Sequence, residues 1–101
     1  MKKFLIIASI VSLLTACGEI PETFKITYHG NGNTSGFPPV DNNQYKSGEY
    51  ATVLDKYTLQ KDGHKFAGWN TSQDNSGTHY DSGSRIEIKN RNIFLHAVWS
   101  K

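Results

Sequence analysis

Apolar and polar residues alternate along much of this chain, and the alternation starts at Phe24. Phe24-Lys25-Ile26-Thr27-Tyr28 has period two and is rich in β-formers, which predicts a strand with Phe24, Ile26 and Tyr28 facing inward. His29-Gly30-Asn31-Gly32-Asn33 stops it, because Asn-Gly and Gly-Asn pairs tolerate positive φ. Phe37-Pro38-Pro39-Val40 cannot continue as helix, since proline lacks the amide donor and restricts the residue before it. Asp41 to Tyr45 has room for one helical turn and no more. A second strand is predicted over Glu49 to Leu54, followed by a looser Tyr57-Thr58-Leu59 segment.

Lys61-Asp62-Gly63 turns the chain into His64 to Trp69, the stretch around which the rest is arranged. It carries Phe66 and Trp69, and Gly68 beside the indole leaves room for a bulge or a neighbouring ring. A long polar loop is expected over 70–84. Arg85 to Ile88 is a short strand with Ile86 and Ile88 on one face, and Lys89 to Asn92 reads as a hairpin turn into Ile93 to Trp99. In that last run Ile93, Leu95, Ala97 and Trp99 share one face, and the other, Phe94, His96 and Val98, is only partly polar. Such a strand belongs inside a sheet rather than at its edge. The expected core is Phe24, Ile26, Tyr28, Phe66, Trp69, Ile86, Ile88, Leu95, Ala97 and Trp99. The fold class is mainly β, α+β at most, with long Gly/Asn/Ser loops.

The N-terminus follows a different pattern. Lys2 and Lys3 precede the apolar run Phe4 to Leu14, which is short of the roughly 20 residues a spanning helix needs. This is the composition of a signal peptide. Leu14-Thr15-Ala16-Cys17 resembles a bacterial lipobox, in which cysteine takes a diacylglyceryl group and the chain is cut before it. The resemblance accounts for the sole cysteine of an exported chain, which has no internal disulfide partner. It divides the chain into a signal peptide (1–16), a lipidated Cys17 with a short tether (17–23) and a domain (24–101). Gly18 to Thr23, fully extended, spans at most about 20 Å, so the domain is expected close to the bilayer. Gly18 is not the aspartate that favours inner-membrane retention, so in a two-membrane cell the resemblance implies the outer membrane.

Processing also changes the charge. The net +2 of the whole chain belongs to Lys2 and Lys3; without them, nine basic residues face nine acidic ones. A neutral, interspersed surface gives no footprint for nucleic acid. A domain this small buries a limited core, so large aromatics must supply much of it, each burying about 150–250 Å².

His29, His64, His79 and His96 are scattered with no partner at ligand spacing. Taking Asp74 as the first position of a calcium loop puts His79 where glycine is needed and Arg85 where glutamate is needed. A looser oxygen site from Asp74, Asn75 and Asp81 stays open beside ordinary turn chemistry. There is no Gly-x-Ser-x-Gly elbow, and Gly30-Asn31-Gly32 lacks the Gly-Lys-Ser/Thr ending of a phosphate cradle. No catalytic residue, metal or cofactor is nominated. Tyr45, Tyr50, Tyr57 and Tyr80, with Trp69, are the candidates for a binding face, the alternative for each being packing at the core rim.

Four landmarks together resemble one copy of the internalin-B B-repeat, or Listeria–Bacteroides repeat, family. They are Ile26-Thr27-Tyr28-His29-Gly30-Asn31-Gly32, Gly63-His64-Lys65-Phe66-Ala67-Gly68-Trp69-Asn70-Thr71, Gly77-Thr78-His79-Tyr80 with Gly83, and Leu95-His96-Ala97-Val98-Trp99. The resemblance implies a small, twisted, mixed, β-grasp-like sheet on a bacterial surface protein, adhesive or spacer in role and without enzymatic activity. Only one copy is present, and His29 stands where the family often has aspartate. The expected protein is an envelope lipoprotein held to the membrane by acyl chains, displaying this module to a protein or glycan. The alternative is a periplasmic accessory or inhibitor subunit of an envelope enzyme, which the short tether favours.

Overall fold

A computed structural model describes residues 22–101; the predicted signal peptide, Cys17 and most of the predicted tether lie outside the described residues. The strands are β1 (Ile26–His29), β2 (Tyr50–Thr52), β3 (Lys65–Asn70), β4 (His79–Tyr80), β5 (Arg85–Glu87) and β6 (Ile93–Ser100). They form a four-stranded sheet in the order β1-β6-β3-β4 and a two-stranded ribbon, β2-β5. The fold is mainly β, with no helix among the described residues. β6 lies inside its sheet, parallel to β1 and antiparallel to β3. This parallel pairing of first and last strands is the β-grasp-like feature. The layer that covers the sheet is the ribbon.

The ribbon docks through one backbone unit. Tyr28 and Trp69 meet edge to face, ring centroids 4.7 Å apart. The Leu54 amide donates to the Tyr28 hydroxyl at 3.0 Å, and the Trp69 indole N–H donates to the Leu54 carbonyl at 2.8 Å. Both polar groups of a residue just past β2 are therefore satisfied by aromatics of the sheet, which removes the penalty of burying them. Phe24, Ile26, Tyr28, Trp69, Leu95 and Ala97 from the sheet and Ile86 and Ile88 from the other layer are buried together. Phe66 and Trp99 are half-buried at the rim of this core. Ala51, Val53 and Leu59 complete it. At about 25 cal/mol per Å², burying an indole of about 150–250 Å² contributes roughly 4–6 kcal/mol as an upper bound.

Three sequence expectations are corrected. Lys89 to Asn92 is not a hairpin turn: β5 pairs with β2, and β6 with β1 and β3. The chain changes layers there because β1 captures the start of β6. Ile93 N–H donates to the Lys25 carbonyl at 2.9 Å, and the Lys25 amide donates to Asn92 Oδ1 at 2.9 Å. Asp41 to Tyr45 is extended rather than a helical turn. The buried Asp41 carboxylate accepts from the Asn43 amide (2.9 Å) and the Tyr45 hydroxyl (2.7 Å), and Phe24 and Tyr45 exchange backbone bonds. Local side-chain acceptors of this kind compete directly with helix. Finally, the polar stretch 70–84 contains β4, paired with the end of β3.

β3 itself carries a bulge. Phe66 faces Trp99 and Gly68 faces Val98, so Ala67 is the extra residue. With strict period two, Phe66 and Trp69 would point to opposite faces. The inserted residue reverses the parity, and their ring centroids lie 5.1 Å apart on the same side. Phe66 also meets Trp99 at 5.8 Å and so links the two indoles. Gly68 adopts φ +121°, and a Cβ there would stand 2.7 Å from the His79 ring. The bulge and the neighbouring ring that its sequence position allowed are both present.

Candidate functional site

The four tyrosines of the sequence-derived binding face fall on different elements. Tyr45 and Tyr80 are half-buried and pack against the core. Desolvation raises the Tyr45 phenol above its usual pKa, and the hydrogen bond to Asp41 adds to this. Tyr50 and Tyr57 are exposed, at 53% and 68%. Tyr50 lies on the outward side of the ribbon, where the Arg85 guanidinium sits 4.4 Å above its ring. Tyr57 occupies a turn at φ 58°, an uncommon conformation for a bulky side chain. Among the described residues, none of the close ring pairs joins two of these four tyrosines.

The polar stretch after Trp69 is organised by Asn70, a buried polar residue the sequence pattern did not single out. Its Oδ1 accepts from the amides of Ser72 (2.9 Å) and Gly77 (3.0 Å). Thr71 and Thr78 close the loop: Thr71 N–H donates to the Thr78 carbonyl, and Thr78 N–H to Thr71 Oγ1. Asp74 Oδ1 accepts from the amide and hydroxyl of Ser76, which hold its carboxyl below the usual range. Asp81 Oδ1 contacts His79 Nε2 at 2.9 Å. Asp74 and Asp81 thus each use an oxygen in turn or side-chain contacts, and among the described residues no three His, Cys, Asp or Glu side chains are grouped to hold an ion.

The outward face of the four-stranded sheet carries features that were not evident in the sequence. Register places His29, His96, Asn70 and His79 in one row across β1, β6, β3 and β4. Val40, Thr27 and Phe94 form the adjoining row, and Val40 and Phe94 are 75% and 52% exposed. Burial, and then the charge of neighbouring His29, lower the His96 pKa. Beside Phe94 lies a cavity of about 510 Å³, lined by Tyr80, Ile86, Glu87, Lys89 and Arg91 among others. Aromatic edges flanked by both signs of charge suit stacking and charge-assisted hydrogen bonding to a partner.

These elements define a small, mainly β module whose two outward faces carry aromatic and charged side chains. The profile of the Listeria-Bacteroides repeat domain matches residues 24–98 in a single copy, and the chain belongs to that family. Two curated proteins of Evansella cellulosilytica (strain ATCC 21833) are similar. One is 34% identical over 76 residues, covering 75% of this chain and 9% of its own length; it bears the provisional name of a Gly-rich membrane protein. The other is 30% identical over 77 residues, covering 76% and 11%, and is provisionally named a membrane protein. The chain thus spans about a tenth of the length of these relatives. No solved structure matches it.

Proposed function

We propose that the protein is a non-enzymatic lipoprotein of the bacterial envelope, anchored through Cys17, which displays one repeat module for contact with a protein or glycan. The observation that carries this reading is the family match over 24–98. The lipobox-like Leu14-Thr15-Ala16-Cys17 and the membrane-protein names of the relatives support the location. Exposed Tyr50 on the ribbon, Tyr57 on a turn and the cavity beside Phe94 supply aromatic contact area for a partner. In a two-membrane cell the anchor belongs to the outer membrane.

Metabolic labelling with palmitate tests the anchor: label enters the native chain and is lost in Cys17→Ala. An unlabelled, fully soluble native protein sinks this reading. Protease added to intact cells then separates the two orientations. Cleavage of the module means outward display, whereas protection means work inside the envelope, as an accessory or inhibitor subunit would perform.

A further inference from the structure

His29 and His96 are 67 positions apart in sequence, and the parallel pairing of β1 with β6 makes them direct cross-strand neighbours. Their rings are nearly parallel, 17° between planes, with centroids 5.2 Å apart. Phe94 backs the pair, its ring 6.0 Å from that of His29. The other two histidines have partners for a ring nitrogen: His64 Nδ1 lies 2.9 Å from the Asp62 carbonyl, and His79 Nε2 lies 2.9 Å from Asp81 Oδ1. No hydrogen bond among the described residues occupies the ring nitrogens of His29 or His96.

We propose that His29 and His96 form a two-histidine chelate for a divalent transition metal on the outward face of the four-stranded sheet. Imidazole lone pairs lie in the ring plane. In the stacked arrangement the two lone-pair planes are therefore parallel, and binding requires each ring to turn about its side-chain torsions until one nitrogen of each faces a common point, which cross-strand neighbours on an outward face are free to do. Metal–nitrogen bonds of about 2.0–2.1 Å require the two nitrogens within about 4 Å of each other, a separation that turned rings on strands about 4.8 Å apart can reach. Neutral imidazole selects zinc, nickel and copper over the hard ions calcium and magnesium, which need oxygen cages.

Among the described residues no third His, Cys, Asp or Glu is grouped with this pair. His79, in the same row, lies two strand spacings from His96, roughly 10 Å, and is out of reach. The remaining coordination positions go to water or to a donor from another molecule. Space for them exists beside His96, which borders a cavity of about 490 Å³ lined by Thr71, Ser72, Gln73, Asp74 and Ser76. An ion held here links the first and last strands, so it binds the folded state and stabilises it by mass action.

The test is a nickel(II) titration of the full chain in detergent, carrying Cys17→Ser so that no thiol competes. One ion per chain is expected, with a melting temperature that rises with nickel concentration and does not respond to calcium. His29→Gln leaves the metal-free melt near native because residue 29 is exposed. It should weaken nickel binding roughly tenfold or more, the scale seen even for outer-shell partners of a metal. His96→Gln should do the same, while His64→Ala and His79→Ala leave the affinity unchanged. No nickel-dependent rise in melting temperature, or unaltered affinity in His29→Gln, overturns the site. So does binding that disappears only with His64 or His79. The palmitate result does not bear on any of these outcomes.

Discussion

Leu54 matters to this fold through its backbone. Its amide and carbonyl are held by Tyr28 and Trp69, and the same two rings form the centre of the core. Trp69→Ala removes a fully buried indole together with one of these bonds. It should destabilise the domain by about 3–5 kcal/mol, read as a large fall in the urea midpoint. Trp99→Ala should cost clearly less, since Trp99 is half-buried and its indole N–H bonds the Gly30 carbonyl at the rim. Tyr57 is the opposite case. Its left-handed backbone is strained, and its exposed ring gains little from packing. Tyr57→Gly should raise stability by about 1 kcal/mol in the same assay, after allowing for the entropy glycine adds to the unfolded chain. Leu95 and Ala97 were legible as core because they repeat with strand period and carry no polar side-chain atom that water would retain. Leu59 was not, because it lies in an irregular turn where no periodicity marks the inward side.

At the scale of elements, β3 and the loop that follows form one unit. The bulge at Ala67 aligns Phe66 with Trp69, Gly68 admits the His79 ring, and Asn70 gathers the chain for the turn into β4. Gly-Trp-Asn-Thr followed by Gly-Thr is therefore a structural motif: a Cβ at 77 would press on Thr71 Oγ1 and Ser72 Oγ, so glycine lets the loop close without displacing the Thr71 hydroxyl from the Thr78 amide. Asn70→Ala should cost about 2 kcal/mol by leaving the Ser72 and Gly77 amides without their acceptor. Hydrogen exchange at those two amides should accelerate more than exchange across β1 and β6. The strand at 64–69 and the turns around it were visible in residue type. The bulge was only permitted by Gly68, because parity depends on which partner residue each amide meets. β4 was missed because His79-Tyr80 is too short for periodicity; its pairing is dictated by the Asn70 turn.

At the scale of the whole molecule, the closing contact is between the ends of the domain. β1 and β6 pair in parallel, and His29 and His96 meet there. Burial, then the nearby His29 charge, lowers the His96 pKa, while an unfolded chain takes up its proton near the ordinary 6.5. Between those two values the unfolded state binds more protons, so stability falls as pH falls. The contribution is complete above about pH 6.5 and is lost on acidification through the lower folded value. With a chelator present, the melting temperature should drop between about pH 7.5 and about pH 5. His96→Gln should remove part of that drop, and an identical slope in the variant would show that the pair carries no linkage.

The sequence by itself determined the mainly β class, the interior place of the last strand and the family, because period-two burial, turn residues and a spaced aromatic motif are local properties. Leu14-Thr15-Ala16-Cys17 resembles a lipobox but lies outside the described residues. Tertiary structure alone decided which strands are neighbours. A turn-like Lys89-Asn90-Arg91-Asn92 is compatible with a hairpin or with a change of layer, and capture of Asn92 and Ile93 by β1 selected the second. The same pairing turned two histidines remote in sequence into adjacent rings. No spacing along the chain could encode that, since cross-strand distance is set by register and not by the number of residues between.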